Sequence, residues 1–259
     1  MRGGTAYGSD GAARVKAPEH LTALRNAVRA YGFAVRDVTR AKNRLKSVFL
    51  SRGIVAESVI YDADLRGKWL KKLPPAHRRL AEWLGRELDE LQSLREEAHG
   101  WLGKEARTHP IVRTLSTAPG LGPIRTAQLV AIVVTPNRFR TSRQFWSYSG
   151  LSIVTRSSAN WKRDGSGKLV RVEQQQTLGL TRKRHPLLKA VFKGAATTVI
   201  EQMPTNPLHE DYQRMLASGR KPNLAKLTLS RRIAAIVLSM WKNEEEYDPK
   251  RHAAVTVQA

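Results

Sequence analysis

This 259-residue chain contains no cysteine, which excludes a disulfide, a thiolate nucleophile and a cysteine-ligated zinc. It also lacks any apolar run near the ~18 residues that a membrane span needs. Met1-Arg2-Gly3-Gly4-Thr5 is not followed by the apolar core of a secretory signal, so a cytoplasmic location is the expectation. Acids are scarce. Asp and Glu number 22 against 45 Lys and Arg, for a net charge of +23. Carboxylate sets for a metal are correspondingly poor. There is no His-Glu-x-x-His, Asp62 and Asp64 stand as a lone pair, and Glu244-Glu245-Glu246 reads as a solvated run. No residue is expected to bind a metal. A surface this cationic attracts polyanions, and nucleic acid is the leading partner because phosphate neutralisation releases counterions.

What is present is mostly helical pattern. Residues 1–17 read as a flexible lead-in and 247–259 as a tail. From Leu21, apolar residues at Leu24, Val28, Tyr31, Val35, Val38, Leu45 and Phe49 alternate by three and four, with a break at Lys42. A second series, Leu80, Leu84, Leu88, Leu91, Ala98 and Leu102, spans about 77–106. Together they predict a long-helix or coiled-coil region over 18–110, paired within the chain or between chains. Arg25, Arg29, Arg36, Arg40, Lys42, Arg44 and Lys46 on the first helix are either a solvated face or a rail for phosphates.

Residues 111–246 predict a compact helical domain. Pro119-Gly120-Leu121-Gly122-Pro123-Ile124-Arg125-Thr126-Ala127 resembles a helix-hairpin-helix turn, whose backbone N–H groups at a helix start suit a phosphate. Such a contact fixes register on DNA and reads no bases. The string is not a P-loop, for no Gly-Lys-Ser/Thr follows. The cluster from Phe139 to Tyr148 reads as core. Ser152–Thr155 and 168–172 are β-prone around Asp164-Gly165-Ser166-Gly167, predicting one projecting β-hairpin. Ser157 and Ser158 lie in that stretch among Arg156, Lys162 and Arg163. A hydroxyl attacking phosphate needs cations that steady the developing charge. Arg182, Lys183, Arg184 and Lys189 form a second cationic group around His185 and Pro186, where a helix is expected to start. Helices are expected at 187–203 and 224–241. The fold class is mainly α.

These pieces in this order resemble the C-terminal domain of the insertion-sequence 110 transposases and their 116 and 902 relatives, from about Leu21 to Trp241. The resemblance implies DNA cutting and rejoining guided by a bridge RNA, with Ser157 or Ser158 as the nucleophile. From the glycine turn and the cationic groups, DNA contact is expected of Gly120, Gly122, Arg125, Thr126, Arg156, Lys162, Arg163, Arg182, Lys183, Arg184 and Lys189. Such transposases pair this domain with a RuvC-like domain carrying an Asp-Glu-Asp-Asp metal site. No such acidic motif stands in this chain, and Asp10 is at most a remnant of one. A truncated or split transposase is therefore expected, needing Mg2+ only with a complementing RuvC-like domain. Ala159 stands where the family often has glycine. A homo-oligomer, nucleoid association and no membrane are further expectations. The alternatives are a catalytically inactive DNA- or RNA-binding fragment and a structural nucleoid or RNA-binding protein.

Overall fold

The computed structural model describes residues 18–157, 161–163, 165–171, 175–182 and 184–250. The protein is mainly α, with nine α-helices and two two-stranded antiparallel sheets among the described residues. No helix among them is long and apolar enough to cross a membrane. The chain divides into two compact units, one spanning 19–108 and the other holding the residues from His109 onward.

The 19–108 unit is a helical hairpin. Helix α1 (Thr22–Leu50) buries Leu24, Val28, Val38, Leu45 and Phe49. The break expected at Lys42 is filled by Ala41, which is fully buried. A short 3-10 turn and α2 (Ala63–Leu70) follow, and α3 (Pro75–Arg107) returns. As the numbering rises in α1 it falls in α3. The ring of Tyr31 lies 5.7 Å from that of His99, Arg44 donates to Glu87 at 2.8 Å, and Arg52 donates to His77 at 2.9 Å. The pairing left open by the pattern is thus made within one chain. Two expected seam positions are exposed instead, Val35 at 37% and Leu80 at 48%. Ala81 takes the place of Leu80 in the seam, a residue small enough to let the helices close.

The connector is held by polar contacts. The carboxylate of Asp62 caps α2 by accepting from the backbone N–H groups of Asp64 and Leu65, at 2.9 and 3.2 Å. Arg66, only 6% exposed, donates Nε to the Ile60 carbonyl and both Nη groups to Asp89 on α3. Gly85 leaves room for that guanidinium, since a Cβ there would stand 2.5 Å from Nη1.

In the second unit, α4 (Pro110–Leu115), α5 (Pro123–Val133) and α6 (Ser142–Tyr148) precede the strands, and α7 (Pro186–Gln202), α8 (Pro207–Ala217) and α9 (Pro222–Asn243) follow. Five of these six helices carry proline at N1, where the missing N–H costs nothing and φ is already set. Helix α8 falls in the stretch after Pro204 where no helix was expected. α9 is the centre: α4, α6, α7 and α8 all pack on it. Accordingly Leu229, Ile233, Ile236, Val237, Leu238, Met240 and Trp241 are buried around its circumference. Buried Asp211 on α8 bridges Arg214 and Arg232.

The projecting segment is longer than expected. β1 (Ile153–Ser157) pairs with β4 (Gln175–Leu180), and β2 (Trp161–Arg163) with β3 (Leu169–Arg171). The two antiparallel pairs are nested in one out-and-back excursion. Gln175-Gln176-Thr177 carries little strand signal of its own and is recruited by the backbone of β1. A register irregularity between Ile153 and Thr155 marks the root of the arm.

Candidate nucleic-acid interface

The glycine turn between α4 and α5 has an inner and an outer side. Gly120 sits at φ +72, and a Cβ there would stand 2.2 Å from the carbonyl oxygen of Ala195 on α7. Only glycine satisfies both constraints. Arg125 reaches back across the turn and donates to the Gly120 carbonyl at 2.7 Å and to Thr198 Oγ1 at 2.9 Å. Its guanidinium lies over Gly194. Thr126 is fully buried and donates its hydroxyl to the Gly122 carbonyl at 3.1 Å. Gly120 and Arg125 therefore lock the turn to α7, and Thr126 ties α5 back to Gly122. Gly122 is different. It is the N-cap of α5 at φ −84, with nothing within 4 Å of a would-be Cβ. Its open side presents the start of α5, where unpaired N–H groups favour an anion.

A second constellation surrounds the end of α6. Phe139 packs on Phe145 and Tyr148, and Phe145 meets Phe192 edge-on at 5.6 Å. Of the cluster expected as core, Phe139 and Phe145 are fully buried, while Trp146 and Tyr148 are half-buried. The cluster pins the turn 148–151, from which the arm departs. Gly150, at φ +72, lies under the side chain of Arg184: a Cβ would stand 2.0 Å from its Cδ. The His185 N–H donates to the Tyr148 carbonyl at 3.0 Å, and the Thr181 N–H to the Ser152 carbonyl at 3.0 Å. From α9, Arg231 donates Nε to the Leu151 carbonyl at 2.7 Å, while Trp146 donates its indole N–H to the Arg231 carbonyl at 3.0 Å.

The root is strongly cationic. Lys189, on the first turns of α7, has its pKa lowered by burial and by the charges of Arg184 and Lys193. Burial lowers the pKa of His185, and burial likewise lowers that of Arg231. Arg182 and Arg184 are exposed. Lys183 lies outside the described residues. Sequence reasoning missed Arg231 and Gly150. The available signal was slight: Arg231 and Arg232 stand side by side between Leu229 and Ile233, within the otherwise apolar pattern of the last helix.

Along the arm, Ser157 ends β1 with its backbone opposite Gln175, and Arg156 stands opposite Gln176. Lys162 and Arg163 belong to β2, facing Val170 and Leu169. Arg163 is exposed. Ser158 and the side chains of Arg156, Ser157 and Lys162 lie outside what is described. The serine position and the root of the arm are thus separate places. From Ser152 to Ser157 the strand advances about 16 Å. The glycine turn is a third place: along α7, Ala195 stands about 13 Å from Pro186.

Charge is unevenly distributed over these elements. Between His109 and Ile200 there are fifteen Lys and Arg but two acids, Asp164 and Glu173. Among the described residues, no cluster of three or more His, Asp or Glu could hold a metal.

Residues 112–213 match the profile of the transposase IS116/IS110/IS902 family. The chain is also 25% identical over 218 residues to a candidate transposase, y4pF/y4sB, of Sinorhizobium fredii (strain NBRC 101917 / NGR234). That similarity covers 82% of this chain and 53% of the relative, so the chain spans about half the length of the curated protein it matches. The matched residues all fall in the second unit.

Proposed function

We propose that this chain takes part in DNA transposition, binding DNA through its second unit and attacking the backbone with Ser157 or Ser158. The observation that carries the reading is the extent of the family match. Residues 112–213 enclose both the acid-poor stretch and the arm bearing the serine pair. DNA contact by the open side of Gly122 and by Arg182, Lys183, Arg184 and Lys189 supplies affinity without base reading. Gly120, Arg125 and Thr126 serve that contact by holding the turn.

In the chemical step, a serine oxygen bonds to phosphorus while a P–O bond of the strand breaks. The serine proton is removed by a base, and the departing oxygen is protonated to a hydroxyl. A second strand's hydroxyl reverses the exchange and rejoins the backbone. Arg156, Lys162 and Arg163 steady the phosphate charge. Carboxylates are few in this stretch, and among the described residues no cluster of three or more His, Asp or Glu could hold Mg2+. We assign the metal half to a RuvC-like domain, supplied in cis or in trans, with a guide RNA.

The test is covalent trapping. With DNA, guide RNA, Mg2+ and a RuvC-like domain present, a protein–DNA adduct is expected. It should disappear on Ser→Ala at the reactive position, Ser157 or Ser158, while DNA binding persists. An adduct that survives loss of both serines, or robust strand cleavage by this chain alone, refutes the reading. DNA binding with no adduct under any of these conditions favours the second reading, an inactive binding fragment.

A further inference from the structure

The second unit treats Arg231, a half-buried arginine on α9, unlike its buried charge Asp211. Asp211 is paired with two arginines, Arg214 and Arg232. Arg231 is buried enough to depress its pKa, yet among the described residues no carboxylate pairs with it. One donor is used, Nε to the Leu151 carbonyl, and Nη2 is buried without any hydrogen-bond partner. A half-buried cation whose idle donor is itself buried is costly unless an anion completes it.

Its surroundings repeat the pattern. The hydroxyl of Ser149, a residue that is 0% exposed, has no partner in the same turn. His185 Nδ1 is likewise buried and unpaired. Arg184 is held across Gly150 and donates only to the Thr181 carbonyl, leaving most of its guanidinium unused. Lys189 feels the charges of Arg184 and Lys193, and among the described residues no carboxylate pairs with it. Three cationic side chains thus converge on the four residues 148–151 or their immediate flank. Arg231 and Arg184 are anchored by backbone contacts, and among the described residues no carboxylate pairs with any of the three.

We propose that Arg231, Arg184 and Lys189 form a phosphate site at the root of the β arm, which grips the DNA backbone away from the serine pair. The proposal rests on the DNA-binding reading above and adds Arg231 to it. The roughly 16 Å of strand between root and serines corresponds to about five base-pair steps at 3.4 Å each. The root therefore holds a different phosphate from the one under attack and fixes the angle at which the arm meets the duplex.

The experiment measures binding of the full chain to a fluorescent duplex oligonucleotide across a KCl series. Arg231→Gln is expected to weaken binding about ten-fold and to reduce the slope of log K against log salt by about 0.9, the signature of one lost phosphate contact. Thermal melting and far-UV circular dichroism report whether the variant folds. If it does not, Arg184→Gln, an exposed side chain, must show the same loss of slope with unchanged melting. Methylphosphonate scanning of the duplex should find one neutralised position that weakens wild type but not the variant. A folded variant with the wild-type slope overturns the root site. Loss of slope on an RNA hairpin but not on duplex DNA overturns its assignment to DNA. Absence of salt-dependent duplex binding by the wild type overturns the broader DNA-binding reading instead.

Discussion

The two glycines of the α4–α5 turn, spaced as a symmetrical pair in sequence, should respond oppositely to the same methyl group. At Gly120 the backbone is left-handed, which costs an alanine about 1–2 kcal/mol. The new Cβ would also stand 2.2 Å from the Ala195 carbonyl oxygen, a backbone atom of a packed helix that cannot swing aside. Overpacking of that kind costs about 1–3 kcal/mol. Gly120→Ala should therefore destabilise the second unit by about 2–5 kcal/mol, a large part of the ~5–15 kcal/mol that holds a typical domain. At Gly122, φ is −84 and the space is open. Alanine is a poorer N-cap than glycine by up to about 1 kcal/mol. It recovers about 0.4–1 kcal/mol by restricting the unfolded chain. Gly122→Ala should be close to neutral.

Urea unfolding followed by circular dichroism gives both values, and thermal melting checks them at about 2–4 °C per kcal/mol for a unit of this size. Equal stabilities within about 0.5 kcal/mol would refute the argument that Gly120 is locked under α7. So would a Gly122→Ala loss as large as that of Gly120→Ala. Gly122→Val then becomes a clean probe of backbone contact, expected to weaken DNA binding equally across sequences while the fold persists.

Two further perturbations address the rest of the molecule. Asp89→Ala should destabilise the helical hairpin by about 2–3 kcal/mol in urea, below the ~3–5 kcal/mol for a fully buried pair because Asp89 is partly solvated; replacing Arg66 with Met as well should recover much of that loss. His185 is held neutral by burial, with its pKa below the unfolded value of 6.5; its stabilising contribution is present above that value and lost as pH falls through it toward the folded pKa, so unfolding of the second unit between pH 7 and 5 should lose part of its pH dependence in His185→Asn.

Periodicity made the helices legible and was silent about their small residues. Leu24, Val28, Leu45 and Phe49 announced the face of α1, because long apolar side chains at three-four spacing have few other destinations. Ala41 and Ala81 did not stand out, yet they let the hairpin close where Lys42 and Leu80 face outward. The prolines and Gly165-Ser166-Gly167 marked boundaries because their effect is local. The outer half of the arm was legible for the same reason. Its return strand was not, since Gln175-Gln176 becomes strand only through a partner twenty residues away. The site divided along the same line. Arg182 and Arg184 were visible as a run of like charge. Arg231 was not, because its meaning comes from the Leu151 carbonyl eighty residues earlier.

Under the proposed function, the distribution of acids bears on which unit would hold DNA. On the first helix of the hairpin, Arg40 pairs with Asp37 and Arg44 with Glu87. The connector's Arg66 is completed by Asp89, and Arg95 by Glu96. A phosphate competing for such a cation must displace a carboxylate, so part of its attraction is already used. The stretch 109–200 has only Asp164 and Glu173 to set against fifteen cations. Arg184 and Lys193 each repel Lys189, whose pKa is lowered by burial and then by those two charges. Bringing one phosphate to that cluster relieves several repulsions at once, whereas a paired arginine on α1 gains only the difference between two anions. Counterion release on DNA binding should therefore come mainly from the second unit, where the arm and the glycine turn also reside.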